Sequence, residues 1–309
     1  MRIAPHSNNV FSLLLAAAAA LIFASGCGPG NEGSPTSGRA TVYTSEDLYP
    51  IMELESQAFQ KQYESATINL LVASQRQAIA HLINDSVKLV IVSRWLTPEE
   101  SDVVKKNNIQ IDSVRVAYDG IVVLANAYSG LKHITVAQLA AFASGASKNL
   151  KSAGGTASEQ VMLAFGGRNS EMKDEVSKRL IPGHVLTESV APCTSSTHAI
   201  QFVSEHPSAL GFISLAWSKQ LPKNVTVLDI GDPAFKRLPY LDTLEYFAPH
   251  PAHIYRNYYP LRRSVYLLSR GIHVNVDKGF LAFLAGREGQ SVINKFGLVP
   301  ATQPVKLVP

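Results

Sequence analysis

Short polar residues stand at several places where an apolar, strand-like run gives way to a helical pattern. They are, in chain order, Thr44, Ser45, Asp47, Ser74, Ser93, Arg94, Asn169 and Ser170, with Arg76 and Arg168 close by. The first backbone N–H groups of a helix have no partner within it and carry a partial positive charge, which favours anions. Guanidinium groups add paired donors that match the oxygens of an oxyanion. The set therefore predicts an anion site.

An alternation of strands and helices has to bring these junctions together. The apolar runs ATVYTS, TINLLVAS and VKLVIVSR each precede a helical pattern. This order predicts an α/β domain with a mainly parallel sheet, in which ligands bind outside the carboxyl ends of the strands. The alternative is that each polar residue is an ordinary helix cap, worth about 1 kcal/mol to its helix. That alternative suffices for one junction, but an anion site accounts better for the whole set.

A second α/β series follows a long strand candidate, SVRVAYDGIVVLAN, that is interrupted at Asp119-Gly120. Its predicted helices are ITVAQLAAFASG, EMKDEVSKRLI and HAIQFVSEHP, and its predicted strands are EQVMLAFGG and ALGFISLAW. A further strand, YYPLRRSVYLLS, and one or two helices complete the chain. With 309 residues, of which 46% are apolar and 17% charged, the chain can bury a core and divide into two domains. The net charge of +4 comes from scattered residues, which argues against a nucleic-acid partner.

The first residues predict export from the cytoplasm. Arg2 precedes VFSLLLAAAAALIFASGC, an apolar stretch that is shorter than a comfortable membrane span and ends in small residues. This segment resembles a bacterial lipoprotein signal in which Cys27 becomes the lipid-carrying residue, although Ala24 stands where Leu is more usual. An uncleaved anchor helix is the alternative, and it also leaves the folded part outside the cytoplasm. The following Gly, Ser and Pro residues predict a flexible tether over 28–39.

Few other residues suggest chemistry. With Cys27 lipidated, Cys193 has no partner, so no disulfide is expected, and a buried thiol explains it better than a nucleophile beside His198. The sequence contains no Gly-x-Ser-x-Gly motif, which would have indicated a hydrolase. His250 and His253 fall short of a closed zinc site, and Pro251 between them predicts a loop.

From about Ala40 onward the chain resembles the substrate-binding proteins of phosphate ABC transporters, which belong to the two-lobed periplasmic binding proteins. The stretches that carry the resemblance are VIVSRWLTPEE, VAYDGIVVLAN with ITVAQLAAFASG, and YYPLRRSVYLL with GFLAFLAGREGQSVINKFGLVPA. The resemblance implies a type II binding-protein fold, in which each lobe is a central mixed sheet flanked by helices. The mapping gives a signal peptide over 1–27, a tether over 28–39, lobe one over 40–118 and 255–309, and lobe two over 119–254.

The resemblance also implies a function. The protein is expected to be a lipid-anchored receptor of the cell envelope, facing the periplasm or exterior, that captures phosphate between its lobes and delivers it to an ABC permease. It is expected to be a monomer, to need no cofactor and to catalyse no reaction.

The family's ligand contacts carry over to matching positions. Ser93 and Arg94 resemble a Ser-Arg pair whose guanidinium can fork two phosphate oxygens, and Asp119 resembles an acceptor for the proton of monohydrogen phosphate. Ser74 resembles a hydroxyl that caps a helix. Together with these four, the predicted ligand set contains Ser45, Arg168, Asn169 and Ser170.

Two carboxylates depart from the family's pattern. Phosphate-binding members usually carry Ser-Gly-Thr at the start of the central helix, whereas this chain has Ser170-Glu171-Met172, and Asp47 replaces an expected hydroxyl. Two unit charges 4 Å apart interact by about 4 kcal/mol at an effective dielectric of 20, so a carboxylate facing the ligand would oppose an anion strongly. Side chains turned to solvent would favour phosphate. Side chains turned into the cleft would favour an altered or lost ligand site, with another oxyanion or a protein-interaction role.

Overall fold

The computed structural model describes residues 34–166, 171–233, 244–271 and 274–302. Of the predicted site, Cys27, Arg168, Asn169 and Ser170 lie outside these residues, as do the predicted signal peptide and the first part of the tether. Within the described residues, no helix has the length and apolar character needed to cross a membrane.

The described part of the chain alternates between strands and helices as predicted. Its strands are β1 (Gly38–Thr44), β2 (Ala66–Val72), β3 (Leu89–Val92), β4 (Asp112–Asn126), β5 (His133–Thr135), β6 (Met162–Phe165), β7 (Ala209–Ser214), β8 (Val225–Val227), β9 (Asp229–Gly231), β10 (Tyr246–Phe247), β11 (Arg262–Ser269) and β12 (Val299–Pro300). Its helices are α1 (Tyr49–Gln62), α2 (Gln75–Ile83), α3 (Pro98–Lys106), α4 (Val136–Ala143), α5 (Glu171–Leu180), α6 (Ser196–Glu205), α7 (Pro251–Tyr255), α8 (Val276–Ala285) and α9 (Arg287–Phe296). Short 3-10 helices cover Glu46–Leu48, Ala127–Ser129, Leu150–Ala153 and Leu215–Trp217.

One mixed sheet runs through the molecule in the order β2-β1-β3-β11-β4-β7-β6, and β8 and β12 also pair with β4. β1 is parallel to β2 and β3, and β6 is parallel to β7, whereas β11 is antiparallel to both of its neighbours. A smaller sheet has the order β10-β9-β5. The predicted α/β class, with mixed sheets flanked by helices, is confirmed.

Strand β4 connects two halves of this sheet. Up to Gly120 it pairs with β11, and from Ile121 onward it pairs with β7. The Asp119-Gly120 step is therefore no interruption of the strand but the place where its partner changes. A Cβ atom at Gly120 would lie 3.0 Å from Cδ1 of Ile254, so glycine allows the close packing of α7 against this step.

Helices cover both faces of each half, which explains why β3 and β7 are buried along their whole length. In the first half, α1, α8 and α9 pack on one face and α2 on the other. In the second half, α4 and α5 pack on one face and α6 on the other. Four separate core clusters result, two for each half, one on each face of the sheet.

One local prediction is wrong. His250, Pro251 and His253 form the start of a short helix rather than a loop, because Pro251 occupies the first turn and the Nδ1 atom of His250 accepts a hydrogen bond from the N–H of Ala252. Among the described residues, no cluster of His, Cys, Asp and Glu could hold a metal ion.

Candidate ligand-binding cleft

A cavity of about 1240 Å³ lies between the two halves, and we call it the basic cleft. Its walls come from the N-terminus of α2, the segment after β3, and helix α5. Strand β4 contributes Arg115 and Tyr118, and β11 contributes Arg262, Arg263, Ser264 and Tyr266. The cationic residues that line it are Arg76, Arg94, Arg115, Lys173, Lys178, Arg179, Arg262 and Arg263. Its described acidic lining residues are Glu171, Asp174 and Glu175. This excess of positive charge favours an anionic ligand.

Several of these cations are already engaged. Arg94 donates to both carboxylate oxygens of Glu100, at 2.7 and 2.8 Å, and to the carbonyl oxygen of Trp95. Arg179 donates to Glu175 and to the carbonyl oxygen of Arg262. Arg94 lines the cleft, but its two-pronged contact is made to Glu100 of α3, and its contact with a ligand stays a prediction.

The most buried cation of the cleft is Arg263, whose side chain is inaccessible to solvent. Its Nη2 atom lies 2.6 Å from carboxylate oxygens of both Asp47 and Asp119, and its Nε atom donates to Asp119 at 2.8 Å. Its Nη1 atom donates to Oγ of Ser93 at 3.2 Å. Burial alone would lower the pKa of Arg263, yet the neighbouring carboxylates raise it well above its usual value, so this guanidinium stays charged.

Asp119 anchors the connecting strands and does not face the cavity. One carboxylate oxygen accepts from the N–H groups of Gly120 and Leu215, and the other accepts from Ser214 and Arg263. Burial raises the pKa of this carboxyl, and Arg263 and Ser214 oppose the rise. Both oxygens are engaged by protein groups and Asp119 does not line the cleft, so its contact with a ligand stays a prediction.

A smaller cavity of about 280 Å³ adjoins the basic cleft, and we call it the acidic chamber. Three carboxylate side chains line it, those of Glu46, Asp47 and Glu171, and its described lining contains no Lys or Arg. The carboxylates of Asp47 and Glu171 thus turn toward the interior rather than to solvent. This is the arrangement that favours an altered ligand site.

Two of these carboxylates bind helix N-termini across the boundary between the halves. The Glu171 carboxylate, at the start of α5, accepts from the N–H of Gln75 at 2.5 Å, the first residue of α2. The Glu46 carboxylate accepts from the N–H and hydroxyl of Ser196, the first residue of α6, at 2.9 and 2.7 Å. Burial raises the pKa of both glutamates, and hydrogen bonds oppose the rise. Each carboxylate takes the position that the free amides of a helix offer to an anion.

The other predicted residues divide between the cavities and the interior. Ser74 lines both cavities and caps α2 in a capping box with Gln77, and the buried Ser93 lines the basic cleft. Ser45 is buried, lines neither cavity, and its hydroxyl has no hydrogen-bond partner among the described residues. Cys193 is buried and burial raises the pKa of its thiol, which agrees with an inert thiol.

Sequence reasoning missed Arg263, Glu46 and Gln75. Gln75 spans the gap between α2 and β3, since its side chain bonds both the hydroxyl and the N–H of Ser93. A buried arginine could have been predicted from the pair Arg262-Arg263. Neighbouring residues of a strand face opposite sides, so one of the two had to point inward.

Comparisons with known proteins agree with this architecture. A family model described as the PBP superfamily domain matches residues 29–288. Protein SphX of Synechococcus elongatus is 27% identical over 128 residues, which make up 41% of this chain and 36% of that protein. The match to this curated relative thus spans only about a third of its length.

Two solved structures share the fold. One is a protein from Clostridium perfringens, described as a phosphate ABC transporter substrate-binding protein and solved with bound phosphate. It has a TM-score of 0.71 at 19% identity, over 85% of this chain and 100% of that chain. The other is an ABC-type phosphate transport receptor from Vibrio cholerae, with a TM-score of 0.66 at 18% identity over 85% of this chain and 100% of that chain. The predicted two-lobed architecture is confirmed by these likenesses.

Proposed function

Because this chain belongs to the PBP superfamily, we propose that it is an extracytoplasmic solute-binding protein that captures phosphate between two lobes and delivers it to an ABC permease. The observation that carries the proposal is the charge of the basic cleft, where eight cationic side chains face three described carboxylates. The phosphate named for the two structural neighbours supports the choice of oxyanion. Export through the predicted signal and attachment through Cys27 complete the proposal.

The proposed lobes are residues 40–118 with 255–309, and residues 119–254. The pairing of β4 supports this division, since its partner changes from β11 to β7 between Gly120 and Ile121. Rotation of two such lobes about their connecting strands would close the cleft around a ligand.

We place the phosphate at the N-terminus of α2. Ser74 caps this helix, Ser93 and Arg94 stand beside it, and the N–H of Gln75 already holds an anionic oxygen, that of Glu171. The Glu171 carboxylate therefore marks where a phosphate oxygen would bind. For phosphate to bind there, Glu171 has to move away from α2.

Calorimetric titration of the full chain with phosphate, sulfate and molybdate, at fixed pH and salt, tests the proposal. Heat and saturation with phosphate are expected, and Arg94→Gln is expected to weaken this binding. Arg39→Gln is the matched control, because Arg39 is exposed at the start of β1, away from the cleft. No heat with any of the three oxyanions would exclude the capture of small oxyanions.

A second candidate function is a two-lobed scaffold whose ligand site is altered or lost, with another oxyanion or a protein as partner. The inward carboxylates of Glu46, Asp47 and Glu171 favour it. A wild-type chain that binds no phosphate, and whose Glu171→Gln variant binds none either, would support this candidate.

A further inference from the structure

A second group of cations lines the basic cleft at β4 and β11, apart from the α2 terminus. The guanidinium carbon of Arg262 lies 3.6 Å from the centroid of the Tyr118 ring, and that of Arg115 lies 5.2 Å from the same centroid. Arg115 also donates to the hydroxyl of Tyr118 at 2.7 Å and lies 5.7 Å from the Tyr266 ring. Both guanidinium groups therefore contact the side chain of Tyr118.

Within the described part of the chain, these two arginines have no carboxylate partner. No ion pair joins Arg115 or Arg262 to a carboxylate of the described residues, although Arg94, Arg179 and Arg263 all have one. The positive charge of Arg115 and burial both lower the pKa of Arg262, and burial is the larger cause. Like charges held together without a carboxylate favour an anion from outside the chain.

An irregularity in β4 turns the side chain of Arg115 toward the cleft. Residues three apart in a regular strand face opposite sides, so Arg115 and Tyr118 would be separated. The register of β4 with β11 shifts at Val116, which is skipped between the pairs Ala117↔Val265 and Arg115↔Tyr266. This bulge brings Arg115 to the same side as Tyr118, and bulges of this kind re-aim side chains beside binding sites.

The cleft is large enough to hold a ligand with more than one phosphoryl group. A cavity of about 1240 Å³ exceeds the roughly 300–1,000 Å³ of pockets that hold whole drug-sized ligands. Inorganic phosphate has five non-hydrogen atoms, so it would occupy only a small part of it. The α2 terminus and the Arg115–Arg262 pair line the same cavity, so no wall separates a ligand group at one from a ligand group at the other.

We propose that Arg115 and Arg262, positioned around Tyr118, form a second anion subsite that takes another phosphoryl group of an extended ligand, a condensed phosphate. This inference rests on the proposed function, since the first phosphoryl group binds at the α2 terminus. The guanidinium groups supply donors to the outer phosphoryl oxygens, and the Tyr118 ring fixes the position of both.

Calorimetric titrations with inorganic phosphate, pyrophosphate and tripolyphosphate test this subsite, in metal-free buffer at a fixed ionic strength near 0.15 M. At that salt concentration exposed charges more than about 8 Å apart are largely screened, so a loss reports local contact. We expect tripolyphosphate to bind at least about tenfold tighter than phosphate. Arg115→Gln and Arg262→Gln should each remove most of this advantage, because each should weaken tripolyphosphate binding by a larger factor than phosphate binding.

The outcomes separate the two proposals. Phosphate binding with no preference for tripolyphosphate in the wild-type chain would overturn the subsite and leave the proposed function standing, and this result needs no variant. An equal loss of phosphate and tripolyphosphate binding in both variants would also overturn it. Failure of all three anions to bind would overturn the proposed function and the subsite together.

Discussion

Replacement of Glu55 by glutamine should make the protein more stable at neutral pH. Glu55 is fully buried in α1, and neither of its carboxylate oxygens has a hydrogen-bond partner among the described residues. Burial raises the pKa of this carboxyl from 4.5 to about 9. The folded protein therefore holds Glu55 neutral at pH 7, whereas the unfolded chain releases the proton.

The sign follows from linkage. Because the folded pKa lies above the unfolded one, the stability associated with the neutral carboxyl is complete below pH 4.5 and is lost as pH rises toward 9. Each pKa unit corresponds to about 1.4 kcal/mol, so the loss between pH 5 and pH 7 is about 3 kcal/mol. Glutamine does not titrate, so Glu55→Gln should match the wild type near pH 5 and exceed its stability by about 3 kcal/mol at pH 7.

Urea-induced unfolding at pH 5, 6, 7 and 8 measures this difference between variant and wild type. Other groups titrate in both proteins, so their contributions cancel in the difference. Glu64→Gln is the matched control for the loss of a carboxylate, because Glu64 is exposed just after the same helix and burial does not act on it. A difference for Glu55→Gln that is flat with pH, or a less stable variant at pH 7, would refute the reasoning.

Three further substitutions test the cleft and its support. Glu171→Gln removes a negative charge from the α2 terminus, so its phosphate affinity by calorimetry should rise by at least about tenfold. Arg263→Met leaves two buried carboxylates without their cation, and urea unfolding should show a loss of about 3–5 kcal/mol. Gln290→Leu removes a buried amide that bonds four backbone groups, and thermal unfolding should show a loss of about 3 kcal/mol.

Each of these experiments has a control or a result that contradicts it. Glu188→Gln, at an exposed site of the second half, should leave phosphate affinity unchanged, and unchanged affinity in Glu171→Gln would show that its carboxylate does not compete with phosphate. Arg262→Met keeps the buried network intact and should cost under about 1 kcal/mol. If Arg263→Met costs no more than Arg262→Met, the buried ion pairs contribute no stability. Wild-type stability in Gln290→Leu would mean that water replaces the lost bonds.

Most of the fold could be predicted from the sequence because hydrophobic periodicity is a local signal. The run that became β4 and the amphipathic pattern of α5 each lie in one short stretch, so their type follows without knowledge of partners. The secondary structure of the segment around Pro251 was harder to predict. Proline allows the first turn of a helix as readily as a loop, and the cap by His250 and the packing of Ile254 against Gly120 favour the helix here.

The site was less predictable because side-chain direction depends on long-range pairing. Whether Arg262 or Arg263 turns inward follows from the register of β11 with β4, which no local pattern carries. The engagement of Arg94 by Glu100 is different, since Thr97 and Glu100 form a capping box that is readable in the sequence. This capping box predicts that the Glu100 side chain turns toward the start of α3, where Arg94 lies.

The crossed attachment of Glu46 to α6 and Glu171 to α2 has a consequence for the motion of the molecule. Each glutamate belongs to one half of the molecule and binds a helix end of the other, so a separation of the halves would uncover two helix ends and two acids together. We expect a separation of the halves to break both attachments. In the proposed function, an anion that replaces Glu171 at α2 leaves the Glu46 attachment to α6 in place, so it can bind while the two halves stay joined there.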